Sequence, residues 1–314
     1  MTQPLALGID IGGTNTSFGL VDATGNIYMK GDMPTVGHNH LNEYIATLES
    51  KLQPLVEKAG RSNIVGIGIG APNGNLFTGE IVFAPNLPWK GIIPLAKMVT
   101  ETMGVKTTLT NDANAAAVGE MMYGAAKGMK DFIVITLGTG LGSGFVANGN
   151  VIYGHDSFAG ELGHVIAVRD GRRCGCGRNG CLETYASATG IVRTAELWLK
   201  ERTDETVLRP DMGHIRATRI FNAAKQGDIF AKEVFEYTGK ILGQALADAV
   251  AITSPEAIIL FGGLANAGEL LMEPTRRHME ENMLQIFKNK VAIIKSSLPD
   301  ADAAILGASA LAWQ

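Results

Sequence analysis

All three cysteines of the 314-residue sequence fall within one short stretch, a spacing typical of a metal site. They are Cys174, Cys176 and Cys181, and the glycines between them free the backbone to bring three sulfur atoms around one point. His164 is the candidate fourth ligand. Three thiolates and one imidazole match a closed tetrahedral zinc site, which leaves no position for a reacting water. We therefore predict a structural zinc ion, held by the loop 164–181.

A disulfide with one spare thiol is the alternative for these cysteines. Three cysteines cannot pair completely, and Cys174 and Cys176 are too close in sequence to bridge comfortably. Nothing in the sequence indicates an oxidising compartment, in which such a bridge would persist. The metal site is therefore the favoured interpretation.

The residues around the cysteines resemble the signature of the ROK family of sugar kinases and sugar-responsive repressors. The resemblance rests on the run Glu161-Leu162-Gly163-His164 and on the spacing Cys174-x-Cys176-x4-Cys181-x-Glu183. In that family the histidine and the three cysteines bind zinc, while the two glutamates and the same histidine contact hydroxyl groups of a bound hexose. The resemblance thus implies that Glu161, His164 and Glu183 bind a sugar.

Sugar binding suits the chemistry of these three side chains. A carboxylate accepts two hydroxyl hydrogen bonds, and a pocket with buried acceptors rejects sugars that lack the matching hydroxyl. If zinc takes one ring nitrogen of His164, the other stays free for a sugar hydroxyl. Without the signature, Glu161 and Glu183 would be interpreted as solvated surface acids.

A glycine-rich turn follows the first apolar segment of the chain. It runs Asp10-Ile11-Gly12-Gly13-Thr14-Asn15, and its glycines let backbone N–H groups approach an anion closely. Asp10 could hold a hydrated divalent cation such as Mg²⁺ beside a phosphate. Taken alone, the turn is equally consistent with an ordinary tight turn.

The turn recurs later in the sequence at a constant offset. Gly13-Thr14, Gly19 and Val21 reappear as Gly138-Thr139, Gly144 and Val146, each 125 positions on. Duplication of a strand-turn-strand unit predicts two similar lobes, each offering a phosphate-binding hairpin to a shared cleft. We expect one MgATP between the turn at Gly12–Thr14 and the turn at Gly138–Gly142, which includes Gly140.

The ROK resemblance implies an α/β architecture of the actin-like, ribonuclease H-like ATPase fold, with two lobes, a cleft and a duplicated βββαβαβα core. A Rossmann dehydrogenase fits less well, because its Gly-x-Gly-x-x-Gly turn should lead directly into a helix, whereas strand-like runs follow both turns here. The sequence has no Gly-x4-Gly-Lys-Ser/Thr run, which argues against a P-loop.

Asn111 and Asp112 follow a strand-like segment, at the end where parallel sheets place their active sites. A sugar hydroxyl is a poor nucleophile, and a carboxylate within hydrogen-bond reach can accept its proton as the bond to phosphorus forms. Either residue could also cap the following helix, and both roles can hold at once. ROK kinases carry their base in such an Asn-Asp pair, so the resemblance implies Asp112 as the catalytic base at the sugar and Asn111 as a sugar contact.

Two loops of the first half resemble ROK segments that line the sugar, Ala71-Pro72-Asn73-Gly74 and Pro85-Asn86-Leu87-Pro88-Trp89. Asn86 is the sugar contact that the resemblance implies there. The family often has Gly at the place of Asn73, a mild change because Asn tolerates left-handed backbone angles. It also often has Pro-Gly-Trp where this chain runs directly from Pro88 to Trp89, so the sugar-side loop is shorter here. Trp89 is interpreted as a core side chain.

A second pair of glycines, Gly262-Gly263, ends the strand-like run 257–261. Their missing side chains make room for a flat base or a ribose. In ROK kinases this pair lies by the adenosine, so Gly262 and Gly263 are predicted to border the nucleotide.

Composition limits the class of protein. At 314 residues and 46% hydrophobic, the chain can bury a large core, and this length usually divides into two domains. The net charge is −4 and no long basic run is present, so no nucleic acid is expected as a partner. Without a signal peptide or a run of membrane-spanning length, we expect a cytoplasmic protein with no membrane contact.

Three arginines beside the cysteines form a small basic cluster, which we interpret as a solvated rim rather than a phosphate site: Arg172, Arg173 and Arg178.

Alternating strands and helices are predicted to position these groups. We expect strands over 5–11, 17–21, 27–29, 64–69 and 106–110, and helices over 39–59, 94–103 and 113–122. Residues 187–253 are predicted to be helical throughout, and 303–312 to form a closing helix. The small lobe is expected to comprise 1–114, rejoined by the C-terminal helix at about 300–314, and the large lobe 115–299.

Together these interpretations predict an ATP-dependent hexose kinase that phosphorylates the 6-hydroxyl of glucose. Kinases for N-acetylglucosamine, N-acetylmannosamine, fructose or allose are alternatives, as is polyphosphate as the donor. A sugar-responsive repressor is disfavoured because Asp10 leaves no room before it for a DNA-reading helix. A catalytically dead relic is disfavoured by the presence of Asp10, Asp112 and both turns. The resemblance also implies a homodimer.

Overall fold

The computed structural model describes residues 3–38 and 40–314, which form thirteen strands and eight α-helices. The strands are β1 (Leu5–Ile11), β2 (Asn15–Val21), β3 (Ile27–Pro34), β4 (Ile64–Gly70), β5 (Gly74–Asn75), β6 (Glu80–Val82), β7 (Ile92–Ile93), β8 (Thr107–Thr110), β9 (Phe132–Leu137), β10 (Leu141–Ala147), β11 (Asn150–Val151), β12 (Ala257–Phe261) and β13 (Ala292–Lys295). The helices are α1 (Leu41–Ala59), α2 (Leu95–Met103), α3 (Asp112–Tyr123), α4 (Ala188–Glu201), α5 (Ala217–Lys225), α6 (Ile229–Thr253), α7 (Glu269–Asn282) and α8 (Ala303–Ala310).

The first sheet has the strand order β3-β2-β1-β4-β8. β1, β2 and β3 form an antiparallel meander, and β4 and β8 extend it in parallel to β1. The sequence accounts for these positions. β1 is apolar along nearly its whole length and is buried, as a central strand should be, whereas β3 alternates between partly buried and exposed residues, as suits an edge.

The second sheet repeats this arrangement strand for strand, in the order β11-β10-β9-β12-β13. Its first three strands are again antiparallel, and its last two again run parallel to the first. Helices connect the parallel strands in both halves, which gives the duplicated βββαβαβα order. The predicted actin-like ATPase fold is confirmed, and with it the interpretation of the 125-residue echo as a structural repeat.

Two helices, α3 and α8, pack between the sheets. Glycines allow their close approach, since a Cβ added to Gly119 would lie 2.7 Å from the Cα of Gly307. α8 also lies directly on the first sheet, where side chains on Gly8 and Gly68 would collide with its backbone. The helix near the end of the sequence therefore covers strands from its beginning.

Most predicted elements are present within a few residues of the expected bounds. The helix predicted over 39–59 is observed as α1, and Asn39 lies outside the described residues. Trp89 is 7% exposed and its ring lies 4.5 Å from that of Tyr44, which confirms its core role.

The prediction of continuous helix over 187–253 is wrong. The chain leaves helical geometry between α4 and α5, where Pro210 and a left-handed Gly213 (φ 90°) interrupt it. Arg209 stabilises this break, because its guanidinium donates to the carbonyl oxygens of Leu199, Arg202 and Asp204 at 2.9–3.0 Å. Those bonds satisfy carbonyls at a helix end, where no intrahelical donor remains.

The division into lobes at residue 114 stays a prediction, as does the return of the C-terminal helix to the small lobe. In residues 3–38 and 40–314, no helix combines the length and the apolar character that crossing a bilayer requires.

Candidate active site

Two aspartates lie together where the first sheet ends. Asp10 is near the end of β1, and Asp112 begins α3 directly after β8. Gly70, the last residue of β4, lies between them, since a Cβ there would be 3.6 Å from the Oδ1 atom of Asp10 and 3.6 Å from the Cα of Asp112. Asn111 caps α3 by accepting a 2.8 Å hydrogen bond from the N–H of Ala113, so the predicted capping role is confirmed.

The pKa of each aspartate lies above its ordinary value. Asp112 is exposed as a residue, but protein packs around its carboxylate, and this desolvation raises its pKa. Burial, and secondarily the charge of Asp112, raise the pKa of the half-buried Asp10 to about 7. Because Asp112 is exposed, contact with solvent moderates the rise in its pKa. A ligand that fills the cleft would strengthen it and make Asp112 a better proton acceptor.

The first glycine turn joins β1 to β2. It is closed by a 2.9 Å hydrogen bond from the N–H of Gly12 to the carbonyl of Asn15, which is the first residue of β2. A Cβ on Gly13 would lie 2.8 Å from the carbonyl oxygen of Asn86. The loop that carries Asn86 therefore borders this turn, while Thr14 is exposed beside it.

The second turn joins β9 to β10 in the equivalent place. The N–H of Gly138 donates to the carbonyl of Gly140 at 3.1 Å, and no atom lies within 4 Å of where a Cβ on Gly138 would be. The start of α4 holds the turn. The N–H of Ala188 donates to the Gly138 carbonyl at 2.9 Å, and the hydroxyl of Thr189 donates to the Thr139 carbonyl at 2.7 Å. This turn thus has an exposed face and a fixed back.

The predicted nucleotide glycines border the second turn. Gly262 has φ 98°, and a Cβ on it would lie 2.8 Å from the carbonyl oxygen of Leu137, the residue before Gly138. Gly263 faces open space, with no atom within 4 Å of its added Cβ. Gly262 therefore permits close packing, and Gly263 leaves room at the surface of the cleft.

The four predicted metal ligands are gathered in one place. The ligand atoms of His164, Cys174, Cys176 and Cys181 all lie within 4.8 Å of one another. The Nδ1 atom of His164 is 3.8 Å from the sulfur of Cys174, and the sulfurs of Cys176 and Cys181 are 3.6 Å apart. A tetrahedral site with Zn–S bonds of about 2.3 Å has edges of roughly 3.8 Å, so the donor set fits zinc in spacing and chemistry. All three cysteines are free thiols, so no disulfide competes.

Glu183 connects this cluster to the second turn. Its Oε1 atom is 2.9 Å from the sulfur of Cys174 and 3.8 Å from Nδ1 of His164. A Cβ on Gly140 would lie 2.6 Å from its Oε2 atom. Glu183 is thus held between the loop 164–181 (the metal loop) and the second glycine turn.

Glu161 is electrostatically coupled to Asp112, His164 and Glu183. The residue is exposed, but desolvation by the protein around its carboxylate is the main cause that raises its pKa; the charges of Asp112 and Glu183 raise it further, while His164 lowers it. These effects require the four groups to be near neighbours. The structure therefore brings together the catalytic candidate Asp112 and the three side chains of the signature, whereas Asn86 lies at the first turn.

Sequence reasoning missed Ser143 on β10. Its hydroxyl accepts a 3.0 Å hydrogen bond from the N–H of Leu162 and donates to the carbonyl of Gly160. These two residues flank Glu161, so Ser143 fixes the backbone that carries it. A serine within a Gly-rich strand gives no sequence signal of this role.

The loop before Glu161 also contacts the first half of the chain. The amide of Asn75 donates to the carbonyl of Asp156 at 2.8 Å, and the hydroxyl of Ser157 accepts from the N–H of Leu76 at 2.8 Å. Asn73 nearby has φ 52°, the left-handed conformation that the sequence predicted it would tolerate.

The interpretation of the three arginines as a solvated rim holds for two of them. Arg173 and Arg178 are exposed, but Arg172 is partly buried, with its guanidinium 4.4 Å from the ring centre of Tyr185. Arg172 bonds with the backbone of neighbouring segments, so the prediction for this residue is wrong.

Nearly the whole chain is similar to known proteins. The family model described as ROK family matches residues 6–314. The glucokinase of Halalkalibacterium halodurans is 36% identical over 89% of this chain and 86% of that protein. The crystal structure of a ROK family glucokinase from Streptomyces griseus, in complex with glucose and AMPPNP, has a TM-score of 0.82 and 32% identity, and the match covers 99% of each chain. The xylose repressor of Caldicellulosiruptor bescii is 30% identical over 83% of this chain and 66% of the repressor.

Proposed function

Because this chain belongs to the ROK family, we propose that it is an ATP-dependent hexose kinase that phosphorylates the 6-hydroxyl of glucose. The observation that carries the proposal is the position of Asp112, which lies across Gly70 from Asp10 and near enough to Glu161 for its charge to act on that carboxylate, as the charge of Glu183 also does. The similarity to two glucokinases, one of them solved with glucose and AMPPNP, supports glucose and ATP as the substrates.

Asp112 acts as the general base in this proposal. The sugar oxygen forms a bond to the γ-phosphorus, the bond from that phosphorus to the β–γ bridging oxygen breaks, and ADP leaves. Asp112 takes the hydroxyl proton as the new bond forms. Its raised pKa favours proton acceptance, and its place at the start of α3 puts it at the end of the first sheet, across Gly70 from Asp10.

The two glycine turns bind the triphosphate in this proposal. The N–H groups of Gly12 and Gly138 bond within their own turns, so the other N–H groups of the turns would offer donors to phosphate oxygens. Gly262 and Gly263 would border the nucleoside. Asp10 would hold Mg²⁺ through water, and the bound ion would neutralise charge on the transferring phosphoryl group. The raised pKa of Asp10 is consistent with a carboxylate that needs a cation nearby to be stable in its ionised form.

Glu161, Glu183 and His164 bind the sugar hydroxyls in this proposal. The Nδ1 atom of His164 faces the sulfur of Cys174, which leaves Nε2 for a hydroxyl. Asn111 uses its carbonyl oxygen to cap α3, so its NH₂ group can donate to the sugar. Asn86 approaches from the loop at the first turn.

Zinc would be structural, held by His164 and the three cysteines, and would keep the two glutamates at a fixed separation. A reducing compartment such as the cytoplasm would preserve the free thiols that this site needs. The homodimer and the lobe boundary near residue 114 remain parts of the proposal.

A panel of sugars in a coupled ADP-release assay tests the substrate. Glucose should give the highest kcat/KM, ahead of N-acetylglucosamine, N-acetylmannosamine, fructose and allose, and a dehydrogenase specific for glucose 6-phosphate should detect the product. ATP and polyphosphate are compared as donors. Preference for another sugar would correct the substrate, and absence of turnover with all five would reject the kinase. Retention of operator-like DNA at moderate salt, without turnover, would favour a repressor instead.

A further inference from the structure

Arg172 lies two residues before Cys174, the first cysteine of the metal loop (164–181), and its guanidinium bonds with segments outside the four metal ligands. One guanidinium nitrogen donates to the carbonyl of Thr184 at 2.8 Å and to that of Gly190 at 3.2 Å. The other donates to the hydroxyl of Thr194 at 2.9 Å. None of these acceptors is a carboxylate, so the charge serves to hold backbone and hydroxyl groups in place.

The ring of Tyr185 completes the surroundings of Arg172. The guanidinium lies 4.4 Å from the ring centre, and the tyrosine hydroxyl accepts a 2.9 Å hydrogen bond from the N–H of Arg172. A side chain on Gly171 would collide with that hydroxyl. The arginine is therefore fixed through both its backbone and its side chain.

The acceptors of Arg172 belong to two functional segments. Thr184 directly follows Glu183, the proposed sugar ligand. Gly190 and Thr194 belong to α4, whose first residues hold the second glycine turn through the Ala188 and Thr189 bonds. One guanidinium thus joins the metal loop, the segment of Glu183 and the helix behind the turn.

We propose that Arg172 is a positioning residue, which sets Glu183 against the second glycine turn by a route that does not pass through the metal. The planar guanidinium presents several donors in one fixed plane, which a lysine ammonium cannot reproduce. Bonds from a charged donor are stronger than neutral ones, and their partly buried location protects them from water. The inference rests on the proposed function, because it assigns Arg172 a part in binding the sugar.

The test compares Arg172→Met with the matched variant Arg209→Met. Both arginines donate to backbone carbonyls of the large second half of the chain, but Arg209 lies at the far end of α4, which at 14 residues is about 20 Å long. Each full-length variant is assayed for bound zinc, Tm, kcat, and KM for glucose and for ATP. Arg172→Met should raise the KM for glucose at least about tenfold and retain about one zinc per chain. Arg209→Met should lower Tm and leave both KM values within about twofold.

Two milder variants cover the case in which Arg172→Met does not fold. Arg172→Lys keeps the charge, and Thr194→Val removes one acceptor. Both should raise the KM for glucose about threefold to tenfold. Unchanged KM for glucose in these variants, an equal rise in Arg209→Met, or loss of zinc from Arg172→Met would each overturn the inference. An active wild-type enzyme with unchanged variants would reject the inference alone, whereas a wild-type chain inactive on all hexoses would reject the proposed function with it.

Discussion

The carboxylate of Glu183 lies 2.9 Å from the sulfur of Cys174, and its other oxygen lies against Gly140. The short distance fits a thiol that donates to the carboxylate. A zinc-bound thiolate has no proton to donate, so metal binding would release one acceptor of Glu183. Metal occupancy and sugar affinity should therefore be linked at this residue.

Zinc removal should weaken sugar binding more than nucleotide binding. After chelation, dialysis and restoration of Mg²⁺, we expect a higher KM for glucose, with a smaller change in the KM for ATP, because the loop carrying His164 and Glu183 loses its fixed geometry. Metal analysis and near-ultraviolet circular dichroism would follow the loss. Cys176→Ser should reproduce the effect without a chelator. A zinc-free enzyme with the original KM for glucose would contradict it.

Asp112→Asn should lower kcat by about 10² to 10⁴, because the amide cannot accept the hydroxyl proton. The variant keeps the volume of the side chain, so zinc content, Tm and glucose binding should stay close to those of the wild type. Single-turnover measurement with saturating sugar isolates the chemical step. Turnover near the wild-type rate would remove Asp112 from the role of base.

Asp10→Asn should be more stable than the wild type, by a margin that widens as pH rises, and it should be inactive. The pKa of Asp10 is raised from 3.8 to about 7 in the folded chain. A raised folded-state pKa favours the folded state at low pH. This contribution to stability is lost as pH rises from about 4, the ordinary pKa, through about 7, the folded-state pKa. Asparagine does not ionise, so the variant does not lose stability in this way. In Mg²⁺-free buffer, the Tm difference between variant and wild type should be smaller at pH 5 than at pH 8.5, and a pH-independent difference would count against the shift.

Ser143→Ala should raise the KM for glucose roughly tenfold, since it leaves the N–H of Leu162 without its hydroxyl acceptor and loosens the backbone at Glu161. Thr238→Val is the control, because that buried hydroxyl bonds within α6. Both variants should lose some stability, and steady-state kinetics would distinguish them. Equal KM values for the two would show that Ser143 has no part in sugar binding.

The sequence predicted the two features that leave a local signal, the repeated sheet and the clustered metal ligands. The 125-residue echo indicated the paired sheets, because a repeat of glycine turns between strands requires the same hydrogen-bonding pattern twice. The clustered cysteines indicated the ligand set, since their types and spacing carry that chemistry locally. The place of Asp112 directly after a strand was also predicted, and its role as the base stays a proposal.

What the sequence did not predict depends on distant partners. Arg172 stands beside Arg173 and has the same chemistry, and only the fold places Tyr185, Thr184 and Thr194 around one of the two. The break between α4 and α5 depends likewise on the tertiary bonds of Arg209. Local pattern could not distinguish these cases, because each is decided by contacts made after the chain has folded.

The packing of α8 on β1 and β4 has a consequence for biosynthesis. The ribosome makes the first sheet long before this helix, so the part of the sheet that α8 covers stays exposed during much of translation. The nascent chain then presents a surface that suits chaperone binding, and the half that emerges first reaches its native packing only when α8 arrives.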